Sequence, residues 1–155
     1  IDNKLGYAAD DHPADSSLVF TGSIGYGEGL IERNTDSDTW TFSSSDGVNP
    51  ITVNAITRSG DYGNLDVGFR VESRPTGSFS MTVEPENQKS ASWTGVVAPG
   101  NYAVVIYGTG NGNDATVGYT NYGSLGQYEV TVDAEQQAGC TLDSECATTG
   151  TCQSA

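Results

Sequence analysis

Between Leu18 and Val132 the chain is cut by Gly, Pro, Asn and Asp into a series of short stretches. SLVFTGSI, GLIER, DTWTFS, PITVNAI, LDVGFRVE, SFSMTVE, SASWTGVV, NYAVVIY and GQYEVTV follow one another with turn residues between them. Each is rich in Val, Ile, Thr or aromatic side chains, which fit a pleated surface. None carries apolar residues at i, i+3, i+4 and i+7, the spacing that a helix needs to present one apolar face. Short strands at this spacing predict an all-β chain, an antiparallel, jelly-roll-like β-sandwich of about eight or nine strands. The twenty glycines fit the tight turns such a fold requires, because glycine reaches positive φ without steric cost.

Residues of one parity along a strand share a sheet face. That rule puts Trp40 with Phe42, Trp93 with Val97, and Tyr102 with Val104 and Ile106, all as expected core. A chain of 155 residues is long enough for one core. The expected organisation is an N-terminal linker with an acidic turn over residues 1–17, a sandwich over 18–132, and a linker with a cysteine-containing tail over 133–155.

Charge narrows the partners. The formal net charge is −14, and the six Lys and Arg residues are dispersed along the chain. Binding to nucleic acid or to an anionic membrane surface requires clustered basic side chains, so neither is expected as a partner. No apolar run is long enough to cross a membrane as a helix, and no basic segment followed by an apolar one opens the chain. If the protein is exported, this is expected to be a mature fragment.

The three cysteines, Cys140, Cys146 and Cys152, all lie in the final polar segment. An odd count leaves two readings open: a cysteine-rich region whose next cysteine lies further on, or one small disulfide loop with one free thiol. The spacing lacks CxxC, and the single histidine, His12, is distant, which argues against zinc in the tail.

The same inventory disfavours catalysis. His12 stands in a polar N-terminal segment with nothing in the local sequence to hold it as a triad base. One histidine cannot assemble a hydrolytic zinc, and no base accompanies the tail cysteines. Twenty acidic residues leave many carboxylate pairs open, yet a small sandwich offers little cleft for glycoside hydrolysis.

Two regions stand out as candidate sites. Asp10 and Asp11, with Asn34, Asp36 and Asp38 just before or at the start of a strand, are the richest set of oxygen donors from two segments. Calcium takes six to eight such donors. The competing reading is that Asp36 and Ser37 form a turn while Asp10, Asp11 and Asp15 are solvated charges. Asp61 and Asp66 form a second acidic turn, read as a hairpin loop. The other region is the Gly- and Asn-rich segment from Gly108 to Gly126, too long for an ordinary connection. Tyr107, Tyr119 and Tyr122, with Asn111, Asn113 and Asn121, would there offer aromatic faces and amides to a polymer, or else the loop tyrosines plug the sandwich end.

Three stretches together resemble the bacterial pre-peptidase C-terminal domain, an accessory module of secreted exoenzymes. They are Asp10-Asp11-His12-Pro13 with the later GEGLIERNTDSDTWTF, then APGNYAVVIYG, then GYTNYGSLGQYEVTV. The likeness covers residues 10 to 132. It departs at ADDHPAD, where the family often has a Glu-Pro-Asn-Asp segment. The resemblance implies a secreted, non-catalytic β-sandwich joined to a catalytic domain of the same parent chain. It implies Ca2+ between the N-terminal segment and the turn ahead of Asp38, with Asp36 and Asp38 first, then Asp10 and Asp11. Its implied partner is an insoluble extracellular polymer, a polysaccharide or a collagen-like protein. Two alternatives remain: a strict carbohydrate-binding module acting through Tyr107, Tyr119 and Tyr122, and a structural spacer whose one ligand is calcium.

Overall fold

The computed structural model describes residues 9–12, 14–45, 47–58, 63–110 and 120–134. Tyr119, Asn111, Asn113, Asp61 and the three cysteines lie outside them. The strands are β1 (Ser16–Ser17), β2 (Val19–Thr21), β3 (Ile24–Ile31), β4 (Ser37–Ser44), β5 (Ile51–Thr57), β6 (Val67–Arg74), β7 (Ser80–Val83), β8 (Ser90–Gly95), β9 (Gly100–Gly108) and β10 (Gly126–Asp133). One short 3-10 turn, Asn121–Gly123, precedes β10.

They form two five-stranded sheets, ordered β1-β4-β9-β6-β7 and β2-β3-β10-β5-β8. Every pairing is antiparallel except β1 with β4, which is parallel. The expected all-β sandwich is therefore the fold, with ten described strands rather than eight or nine. SLVFTGSI is not one strand. Gly22 turns the chain at φ +63°, so Val19–Thr21 pairs back on Ile24–Tyr26. The glycine-rich run IGYGEGLI, by contrast, is one continuous strand across both β2 and β10.

Alternation decides what lies between the sheets. Trp40, Phe42, Phe69, Val71, Tyr102, Val104 and Ile106 from the first sheet meet Ile31, Val53, Ala55, Tyr128, Val130 and Val132 from the second in one buried cluster. Each fully buried Val, Ile or Phe contributes roughly 1.5–3 kcal/mol relative to exposure. Trp40, Phe42, Tyr102, Val104, Ile106 and Val97 are buried as their parity predicts. Trp93 sits at the rim instead, half-buried, with its ring centroid 6.1 Å from that of Phe79.

Sheet order sets the position of the acidic residues. β3 and β4 lie in different sheets, so the turn of residues 32–36 bridges one end of the sandwich. The chain entering through residues 9–12 lies along that same end, and Ser16 then pairs with Trp40 in register.

Candidate functional site

The turn between β3 and β4 closes on itself. The amide of Asp36 donates to the Arg33 carbonyl at 3.1 Å, and the amide of Glu32 donates to Asp36 Oδ2 at 3.3 Å. The N-terminal segment is fastened across it. The Leu30 amide donates to Asp11 Oδ2 at 3.1 Å, and the His12 amide donates to Asp10 Oδ1 at 2.9 Å. The His12 ring lies 3.1 Å from Ser16 Oγ through Nδ1 and 3.0 Å from the Glu28 carbonyl through Nε2. It also meets Trp40 edge to face, with centroids 4.6 Å apart. His12 is thus held on three sides, contrary to the expectation that its segment offers nothing to fix it.

Among the described residues, two groups of side chains bring three ligand atoms within 4.8 Å of one another: Asp10 with Glu32 and Asp36, and Asp11 with His12 and Asp38. The four aspartates singled out in the sequence do converge, but in two adjacent sets. Asn34 enters differently, because its carbonyl accepts from Asn121 Nδ2 at 3.0 Å. Glu32 and His12 join as members that the sequence did not single out. Glu32 reads as an ordinary polar residue of the strand-like stretch GLIER, whereas β3 ends at Ile31 and the closed turn that follows buries it.

Two carboxylates here are buried with an oxygen left over. Asp38 is fully buried: its Oδ2 accepts from the Tyr128 hydroxyl at 2.6 Å, while Oδ1 has no hydrogen-bond partner. Glu32 is 6% exposed: its Oε1 pairs with the Arg33 guanidinium at 3.1 Å, while Oε2 has no partner. An unpaired carboxylate oxygen away from water is costly. Burial, the largest cause, pushes the Asp38 carboxyl up to about 7, with Tyr128 opposing and the charges of Asp36 and Asp11 adding. Burial also leads for Asp36, raised to about 6, followed by its hydrogen bond and charge interaction with Glu32. A bound cation reverses this penalty, and the orphaned oxygens fit a hard ion that takes carboxylate ligands.

The glycines of β3 make room for the arrangement. A Cβ on Gly29 would lie 2.5 Å from the Tyr128 hydroxyl and 2.7 Å from Asp38 Oδ2, and one on Gly27 would lie 2.8 Å from the Trp40 ring. Behind them, Trp40 Nε1 donates to the Tyr128 hydroxyl at 2.8 Å. The chain of donors from Trp40 to Tyr128 to Asp38 fixes the carboxylate from within the core.

The tyrosine region is separate chemistry. Tyr107 and Asn121 line a shallow depression of about 520 Å³ together with Glu84, Glu86 and Thr109. The Tyr107 hydroxyl donates to Glu84 Oε1 at 2.7 Å, and burial, followed by that bond, raises its pKa. Tyr122 is 63% exposed and does not line the depression. Asp66 lies in the connection ahead of β6, but not as a solvated turn acid. It is fully buried and accepts from Lys89 Nζ at 2.6 Å.

The two-sheet fold is similar to that of a pre-peptidase C-terminal domain. The structure is similar to the domain of that name from a Bacillus anthracis collagenase, with a TM-score of 0.50 and 15% identity over 76% of this chain and 91% of that one. It is also similar to Aeromonas hydrophila PliG, a periplasmic inhibitor of g-type lysozyme, with a TM-score of 0.48 and 15% identity over 77% of this chain and 95% of that one. No protein-family model matches the sequence, and no curated protein matches it.

Proposed function

We propose that this chain is a calcium-stabilised, non-catalytic accessory module of a secreted bacterial hydrolase. It holds its parent catalytic domain on an insoluble extracellular polymer, a polysaccharide or a collagen-like protein. The observation that carries the calcium reading is the pair of buried carboxylates, Glu32 and Asp38, each with an oxygen lacking any partner. Asp10, Glu32 and Asp36 offer up to six carboxylate oxygens, and backbone carbonyls or water complete the six to eight that calcium takes. The ion would tie the entering segment to the β3–β4 turn and so orient whatever precedes the sandwich. The fold shared with the collagenase domain supports the accessory role.

Thermal melting with excess calcium and then with chelator tests this reading. A ligand bound by the folded form alone stabilises by about 2.7 kcal/mol at a hundredfold excess over Kd. The upward shift in Tm is expected in the unaltered chain and absent in Glu32→Gln and Asp36→Asn. No shift in the unaltered chain overturns the calcium assignment.

The polymer reading rests on the Tyr107 and Asn121 depression and on the exposed Tyr122. Sedimentation with insoluble collagen, chitin and cellulose tests it. Retention on one of them that falls with Tyr107→Ala or Tyr122→Ala supports attachment, and retention on a single glycan alone identifies a carbohydrate-binding module. Calcium-dependent melting without retention on any polymer leaves a structural spacer.

A further inference from the structure

We propose that the outer face of the sheet β2-β3-β10-β5-β8 is a binding surface for a single chain of neutral polysaccharide. The inference rests on the polymer-attachment reading above, and it places the contact on the sheet opposite to the one that carries Tyr107.

Strand register carries one row of side chains across all five strands. Val19 stands opposite Tyr26, Tyr26 opposite Thr131, Thr131 opposite Asn54, and Asn54 opposite Ser92. The intervening Val53, Ala55, Val130 and Val132 are buried in the core, so alternation turns the row to solvent. Ile24, Asp133, Thr52 and Thr94 form a second row beside it. At about 4.8 Å between strands the first row spans about 19 Å, the length of an oligosaccharide segment.

The lining selects the ligand. Among the described residues seven large apolar side chains stand exposed, and four of them, Val19, Ile24, Tyr26 and Ile56, lie on this face. An apolar patch rimmed by polar groups is the usual mark of an interaction surface. The Tyr26 hydroxyl donates to Glu28 Oε2 at 3.0 Å, which holds the ring while leaving it able to stack on the C–H face of a sugar. Further along, Thr52 Oγ1 lies 3.0 Å from Thr94 Oγ1, and Ser92 Oγ donates to Asn54 Oδ1 at 2.7 Å. These pairs fix the side chains and keep donor and acceptor capacity that sugar hydroxyls match. On a chain of net charge −14 the two rows contain one charged residue, Asp133, and no cation. An anionic polymer is repelled there and a basic one finds a single carboxylate, so the complementary occupant is uncharged. Twist of roughly 20–25° per strand turns the face progressively along the row. A single flexible chain follows that turn, whereas a planar crystal surface does not.

Native affinity electrophoresis of the full chain tests the surface, in gels containing hydroxyethylcellulose, mixed-linkage β-glucan, galactomannan or dextran, with polygalacturonate as the charged comparison. Retardation is expected in a neutral gel and not in polygalacturonate, with affinity lowered about tenfold by Tyr26→Ala and unchanged by Tyr107→Ala. Thr131→Lys, which sets a long side chain in the middle of the row, should abolish retardation, and either variant suffices should the other fail to fold. No retardation in any neutral gel, or retardation that Tyr107→Ala removes and Tyr26→Ala does not, overturns the proposal. If sedimentation with insoluble collagen then persists, the attachment reading survives the loss of this one. A dimer in analytical ultracentrifugation that Thr131→Lys dissociates, with no retardation in any gel, assigns the face to a second copy of the chain and likewise overturns it.

Discussion

The Tyr128 hydroxyl donates to Asp38 Oδ2 at 2.6 Å between residues ninety positions apart, one on β10 and the other on β4. This bond links the two sheets beneath the acidic end of the sandwich. The same hydroxyl accepts from Trp40 Nε1, so its loss strands a donor and an acceptor together. Tyr128→Phe is expected to lower stability by about 1–3 kcal/mol, the cost of leaving buried polar groups unpaired. Urea denaturation of the chelator-treated chain measures it, and an unchanged midpoint would show that water replaces the hydroxyl.

Gly29 is required for the same contact by space, not by backbone conformation. A methyl group there would approach the Tyr128 hydroxyl to 2.5 Å and Asp38 Oδ2 to 2.7 Å. Both neighbours belong to the packed interior and cannot withdraw freely. Gly29→Ala should therefore cost about 1–3 kcal/mol, the usual range for overpacking, and should also weaken the calcium-dependent shift in Tm. Gly123→Ala, where nothing lies within 4 Å of the added carbon, is the matched control and should melt close to the unaltered chain.

What could be read from the sequence was set by local pattern. Alternation along β4 and β9 placed Trp40, Phe42, Tyr102, Val104 and Ile106 in the core, because a two-residue period needs no knowledge of the partner strand. Asp36 and Asp38 stood out because acids before a strand are visible as such. IGYGEGLI did not read as a single strand, since its glycines answer to Phe20, Trp40 and Tyr128 on other elements. His12 was hidden for the same reason: the carbonyl that receives its ring lies 16 residues away, and the ring it packs on belongs to β4. Contacts of this kind exist after folding and leave no periodic trace.

The metal-free chain should lose stability as pH rises. Asp38 titrates at about 7 in the folded chain against an ordinary 3.8, and Asp36 at about 6. The folded form therefore holds protons that the unfolded form has released, and stability falls with pH wherever that is so. The contribution is fully present below about pH 4 and is lost as pH climbs through 6 to 7, the span between those ordinary and raised values. Tm measured in chelator from pH 4.5 to 8 should decline, and Asp38→Asn should flatten the decline. Saturating calcium should reverse the trend, because the ion competes with the protons for the same carboxylates. A chelated chain whose Tm rises through this range would contradict the burial of Asp38.

Lys89 and Arg58 make ion pairs of unequal consequence. Arg58 pairs with Glu28 and Glu129, and all three side chains are well exposed. Such surface pairs are worth about 0–1 kcal/mol, so Arg58→Met should change stability little. Lys89 pairs at 2.6 Å with Asp66, whose side chain is 0% exposed and whose second oxygen has no partner. Removing the lysine leaves a buried carboxylate without its counter-charge, a loss of about 3–5 kcal/mol when both groups are buried. Since Lys89 is 31% exposed and water can partly replace it, Lys89→Met should fall at the lower end of that range. Asp66 also accepts, through its backbone carbonyl, from Thr109 and Ser124 beside the tyrosine depression. The variant should therefore raise amide exchange at residues 108–110 and 120–124 as well as lower the urea midpoint. Equal midpoints for Lys89→Met and Arg58→Met would show that the buried Asp66 side chain does not depend on its pairing with Lys89.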